Sequence, residues 1–71
     1  MGLVDDQVIG KVGRLSGAIL PGGCGEVMIP IRGGSEAFYA YAAHAEETMK
    51  AGTRVIVLEY EPPRTVIVSP Y

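Results

Sequence analysis

The sequence has no tryptophan, one phenylalanine, one cysteine and one histidine in 71 residues. A single cysteine, Cys24, permits neither an internal disulfide nor a thiolate metal cluster, and fits a reducing compartment. A conventional zinc site takes three or four N, S or O ligands, and with His44 as the sole imidazole the donors run short. Catalysis by a nucleophile, a base and an orienting group has as little to draw on. Ser16, Ser35 and Ser69 sit in ordinary turn or strand contexts, His44 reads as a solvated loop residue, and Cys24 lies between glycines in a turn. The Pro21-Gly22-Gly23-Cys24-Gly25 run is no phosphate cradle, because no Lys-Ser/Thr follows it and no helix opens after it. The chain reads as non-enzymatic, with no catalytic residue, cofactor or metal expected.

Positive charge is also scarce. Six basic and eight acidic residues leave a net charge of −2, and Lys11, Arg14, Arg32, Lys50, Arg54 and Arg64 are interleaved with acids. A nucleic-acid binder gathers its cations on one face to displace phosphate counterions, so capture of DNA or RNA by the whole domain is not expected. Long hydrophobic runs are missing too. Val55–Leu58 and Ala37–Ala45 fall far short of the roughly 20 residues that cross a bilayer. Asp5 and Asp6 stand where a secretory signal would carry cations. The chain as written is therefore expected to be soluble and cytoplasmic.

What is present is a small β-rich pattern. The length suits one domain, and a chain of this size buries only about 60% of its unfolded surface. Hydrophobic residues make up 48% and charged residues 20%, the latter below the usual ~25%. Such a composition excludes a disordered tail, and it suggests that some apolar surface is covered from outside the chain. Val and Ile total 14 against four Leu, which favours pleated structure over helix.

Residues 1–7 read as a flexible start and 8–71 as a single domain. The first strand is predicted at Val8–Leu15, with Gly10 and Gly13 marking a bend or a close backbone approach. After the Pro21–Gly25 turn, Val27, Ile29 and Ile31 alternate with Glu26, Met28 and Pro30, and Pro30 implies an edge or a bulge. Arg32-Gly33-Gly34-Ser35 is the next turn. Glu36–Lys50 supports two readings. Phe38, Tyr41, Ala45 and Met49 lie at helical spacing among five alanines, with Ser35 as a cap and Gly52 as a stop. The competing strand, Glu36–Ala43, puts Phe38, Ala40 and Ala42 on one face and Tyr39 and Tyr41 on the other. Local rules slightly favour the helix. Arg54–Glu61 is a well-buried strand, Glu61-Pro62-Pro63-Arg64 reverses the chain, and Thr65–Ser69 is the closing strand.

Three segments taken in order carry a family resemblance. They are Ile9-Gly10-Lys11-Val12-Gly13, then Leu20-Pro21-Gly22 leading into Val27 and Ile29, then Met49 to Val57 with its Gly52-Thr53-Arg54-Val55 core. With Phe38-Tyr39-Ala40, this order resembles the C-terminal soluble domain of NfeD-like proteins over about residues 8–69. The resemblance implies an all-β, five-stranded OB-fold-like barrel, and so the strand reading of Glu36–Ala43. Closing a barrel also removes the exposed edges that five short strands would leave. Family members usually carry membrane helices before this domain, and longer ones a serine-protease domain. Neither is in this sequence, and its last hairpin is Glu-Pro-Pro-Arg where the family has a glycine-containing turn.

The outer face around strands two and three of an OB barrel is a common ligand platform. On the strand reading, Tyr39 and Tyr41 lie on that face and Met28 and Arg32 border it, forming a partner-contact surface. In the competing reading the tyrosines are core or merely cover small side chains. Negative net charge favours a protein partner over nucleic acid. The resemblance implies stomatin-, flotillin- or prohibitin-type membrane scaffold proteins as partners and the cytoplasmic side of a membrane as the location of a tethered parent. Self-association is compatible with the same surface. The alternative is an OB module that binds single-stranded nucleic acid or oligosaccharide.

Overall fold

Alternation along the strands decides what lies inside. In the computed structural model, which describes residues 7–71, β2 (Gly25–Ile31) buries every other residue: Val27, Ile29 and Ile31 point inward while Glu26, Met28 and Pro30 face out. The same parity sends Leu15 inward from β1 (Val12–Gly17) and Phe38 and Ala40 from β3 (Gly34–Ala42). Val55 and Val57 of β4 (Arg54–Glu61) and Val66 and Val68 of β5 (Thr65–Pro70) complete the lining. Together with Val8, Ile19 and Met49 these side chains make one apolar core. β-branched residues predominate in it because they keep few rotamers and pack well on a pleated surface.

The strands close into a barrel in the order β1-β2-β3-β5-β4. Every pairing is antiparallel except β3–β5, which runs parallel from Tyr39↔Thr65 to Ala42↔Val68. That is the all-β, five-stranded architecture expected of an OB-type barrel. Pro30 lies beyond Arg14↔Met28, the outermost β1–β2 pair, so β2 has a free edge there, as its proline implies. Irregularities fall between Leu15 and Gly17 on β1 and between Val57 and Glu59 on β4. Among the described residues no helix is long and apolar enough to cross a membrane.

Two local expectations are corrected. The helix that local rules favour over Glu36–Lys50 does not form. Strand β3 takes its first half, turns occupy residues 43–46, and Met49 is buried through a bridge to Ile19. Helix propensities differ by a few tenths of a kcal/mol per residue, whereas burying one Phe side chain contributes about 1.5–3 kcal/mol. As a strand the segment pairs with β2 over its first seven residues, pairs with β5 farther along, and buries Phe38 and Ala40. Tertiary burial therefore outweighs the alanine content.

The first strand begins at Val12 rather than Val8 and runs on to Gly17. Gly10, at φ 86°, turns the chain, and Gln7 and Val8 sit in a 3₁₀ turn before it. Val8 is still buried, beside Ile31 and Phe38 at the barrel end where the β2–β3 and β4–β5 turns meet. Apart from Gln7, the flexible start expected over residues 1–7 lies outside the described residues.

At that same end, Arg32 (φ 53°) and Gly33 (φ 80°) form the two-residue β2–β3 turn. Both are left-handed, as a type I′ hairpin requires. The β4–β5 turn contains a cis Pro62–Pro63 peptide, and the Tyr60 hydroxyl donates to the Pro63 carbonyl at 2.8 Å.

Candidate partner-binding surface

With Phe38 and Ala40 turned into the core, Tyr39 and Tyr41 must point outward. They are 59% and 40% exposed. Across the parallel pairing Tyr39 faces Thr65 and Tyr41 faces Ile67, while on the β2 side Tyr39 is opposite Glu26. Two phenol rings thus stand two residues apart on one strand, flanking the seam where β3 and β5 close the barrel.

Each ring borders its own depression. Tyr41 joins Ile19, Leu20, Gly22, Ala42 and Ala45 around a hollow of about 210 Å³. Leu20 is 64% exposed at its rim. The Gly22 amide donates to the Ala45 carbonyl at 2.8 Å, which ties the β1–β2 connection to the loop after β3 and shapes this hollow. Cys24 lies against the Tyr41 hydroxyl. Electrostatic interaction and then hydrogen bonding with Cys24 raise the Tyr41 pKa above the ordinary 10.0, and desolvation and the Glu61 carboxylate act in the same direction.

Tyr39 borders a second hollow, also about 210 Å³, with Glu26, Ala37, Phe38 and Arg64. Arg64 is fixed there by three contacts. Its Nε donates to the Ala37 carbonyl at 3.2 Å, its Nη2 reaches Glu36 Oε1 at 3.3 Å, and its guanidinium carbon lies 4.9 Å from the Phe38 ring centroid. Edge-to-face packing of Tyr60 on Phe38, with centroids 6.4 Å apart, steadies the ring from another side.

The four residues singled out in the sequence do not form one cluster. Tyr39 and Tyr41 share a face. Met28 pairs with Ala37, which places it diagonal to Tyr39, and it borders the face from the β2 side. Arg32 lies apart in the β2–β3 turn. There it lines a cavity of about 140 Å³ with Val8, Ile31, Phe38 and Tyr60.

The cation that does stand beside Tyr39 is Arg64. Only the parallel β3–β5 pairing brings it there, and no local pattern reports such a pairing. Ile67 joins the surface for the same reason, and Leu20 joins it through the β1–β2 connection held by the Gly22–Ala45 hydrogen bond. His44 is exposed in the loop after β3, and no group of three or more His, Cys, Asp or Glu converges among the described residues. The surface can offer aromatic and aliphatic area, two phenol hydroxyls and one anchored guanidinium.

Comparison with known proteins places this geometry. Among solved structures, the soluble domain of the NfeD protein YuaF from Bacillus subtilis, determined in solution, superposes with a TM-score of 0.80 at 27% identity. That similarity spans 93% of this chain and 76% of the other. No curated protein matches the chain. The family model of the NfeD C-terminal domain matches residues 12–69, from the first residue of β1 to the penultimate residue of β5. The chain belongs to the NfeD C-terminal domain family.

Proposed function

We propose that this barrel is a non-enzymatic docking module that binds a protein partner through the Tyr39/Tyr41 face. Stomatin-, flotillin- or prohibitin-type membrane scaffold proteins are the partner class, on the cytoplasmic side of a membrane. The observation that carries this reading is the pair of exposed tyrosines on the β3–β5 seam, beside exposed Leu20 and half-buried Ile67. Aromatic side chains are enriched at protein interfaces because they bury much area for little conformational entropy, and their hydroxyls stay hydrogen-bonded at a wet rim. Association would gain its free energy by covering this face. The low charge content of the chain agrees with such cover.

The test is capture of a purified stomatin-type scaffold protein by the intact chain and by a Tyr39→Ser/Tyr41→Ser variant. Retention by the first and loss by the second is expected. Equal retention by both, or none by either, overturns the reading. Binding of single-stranded oligonucleotide that weakens steeply with added salt would favour the nucleic-acid module instead.

A further inference from the structure

Away from the tyrosine seam, β1 and β4 present a second and chemically different surface. Arg14 and Arg54 are directly opposed on these neighbouring strands. Like charges facing each other across a sheet are destabilising, so this pair costs the fold rather than supporting it. Neither guanidinium has an acidic partner among the described residues. Nearby carboxylates are engaged elsewhere: Glu26 accepts the Ser16 hydroxyl at 2.7 Å, and Glu36 is paired with Arg64. Arg14 instead donates to the Gly52 carbonyl at 3.2 Å, and Arg54 lies 5.4 Å from the Tyr71 ring centroid.

Between the two arginines runs an open groove of about 410 Å³, lined also by Val12, Met28, Pro30 and Ser35. Beneath it β1 lies hard against β2. A Cβ on Gly13 would come within 2.5 Å of the Met28 carbonyl oxygen. The groove therefore combines an apolar floor, Val12 and Met28, with two cations that form no ion pair among the described residues.

We propose that this groove is a second docking site, which takes an acidic segment of a protein partner with its carboxylates on Arg14 and Arg54 and an apolar side chain on Met28. The proposal does not depend on the tyrosine face. Charge complementarity selects the occupant, because a carboxylate between the arginines converts their repulsion into two charge-assisted, bidentate contacts. Recognition runs through side chains and not by strand addition. The free edge of β2 at this point is Pro30, which has no N–H to offer an incoming strand. A polyanion such as nucleic acid would need a longer basic track than one pair, and the chain carries a net charge of −2.

The experiment is an amide-resolved NMR titration of the intact chain with a short synthetic peptide of alternating glutamate, leucine and serine, beside its glutamine counterpart. Expected are shift changes centred on Val12, Arg14, Met28 and Arg54, and binding of the glutamine peptide weaker by about tenfold or more. Arg54→Glu, which sets opposite charges face to face, is expected to abolish binding while leaving the thermal midpoint unchanged or higher. That combination separates the site from a mere loss of folding.

The proposal is overturned if both peptides bind alike, or if the shifts centre on Tyr39 and Tyr41. It is equally overturned if phosphatidylglycerol vesicles or oligothymidylate, and not the peptide, perturb the groove. A fall in the thermal midpoint of Arg54→Glu would show the arginine to be structural and would also count against it.

Discussion

The tyrosine seam and the arginine groove lie on different parts of one barrel, and they are built by opposite rules. At the seam the cation, Arg64, is consumed by the structure: it is paired with Glu36, bonded to a carbonyl and laid over Phe38. In the groove Arg14 and Arg54 confront each other with no acidic partner among the described residues. The seam offers apolar area whose burial would be favourable almost anywhere. The groove offers unbalanced charge that only a complementary partner can use. Because the strands feed the core by inward parity, their outward residues are free to hold either kind of surface without disturbing the fold.

Four predictions bear on this contrast. The largest effect is expected where backbones touch beneath the two surfaces. On the seam side, a Cβ at Gly25 would meet Ile19 Cγ1 at 2.6 Å and the Gly17 carbonyl at 2.7 Å, and on the groove side Gly13 meets the Met28 carbonyl. Gly25→Ala and Gly13→Ala should each cost about 2–3 kcal/mol in denaturant unfolding, the usual scale of overpacking. A loss under about 0.5 kcal/mol for either would show that the strands can separate there without penalty.

Next, Tyr39→Ser with Tyr41→Ser should weaken scaffold-protein binding by about 2 kcal/mol, roughly 30-fold, as for an aromatic hot spot. Calorimetry reads this directly, and the same variant should leave binding of the glutamate peptide untouched. Loss of both interactions together would erase the distinction between the two surfaces.

Third, Arg64→Met should destabilise the barrel by about 1 kcal/mol. Its exposed ion pair is worth little, and its stacking on Phe38 adds most of the rest. In a domain of this size that lowers the thermal midpoint by about 4–8 °C. Arg54→Glu should not lower it, so two arginine substitutions would act differently on the same barrel. A fall for both would mean that the groove arginines are as structural as Arg64.

The smallest effect concerns Tyr41. Its phenol ionises above the ordinary 10.0, chiefly through the neighbouring Cys24, so Cys24→Ala should bring the tyrosinate absorbance midpoint down towards that value. The sign for stability follows from proton binding. A folded-state pKa raised above the unfolded one contributes stability that is fully present below pH 10 and lost as pH rises through the folded value. An unchanged midpoint in Cys24→Ala would place the cause elsewhere.

Strand β4 could be read from the sequence with its observed bounds, because Arg54–Glu61 holds an apolar run with no turn residue inside it. β2 was legible from the alternation of Val27, Ile29 and Ile31. β3 was not legible locally: Phe38, Tyr41, Ala45 and Met49 mimic a helix face, and only the resemblance of the whole pattern pointed to a strand. The start of β1 was misread because Val8 is a core residue without being a strand residue, Gly10 having turned the chain between them. For the surface, parity sufficed to set Tyr39 and Tyr41 outward. Arg64 and Ile67 stayed hidden because they arrive through the β3–β5 pairing, and the opposition of Arg14 to Arg54 spans 40 positions of sequence that no window covers.

That β3–β5 pairing has a kinetic side. The β2–β3 and β4–β5 hairpins can form from near neighbours in the chain, while β3–β5 and β1–β4 join distant segments, and such non-local closures are the slow part of folding. The seam is therefore one of the two joints, with β1–β4, at which the barrel is expected to close late. A partner lying across it would grip Tyr41 on one lip and Ile67 on the other, and would act as a latch. The lifetime of the folded barrel would then lengthen with occupancy, and a module left without its partner would be the one that opens, exposing its strands to proteolysis.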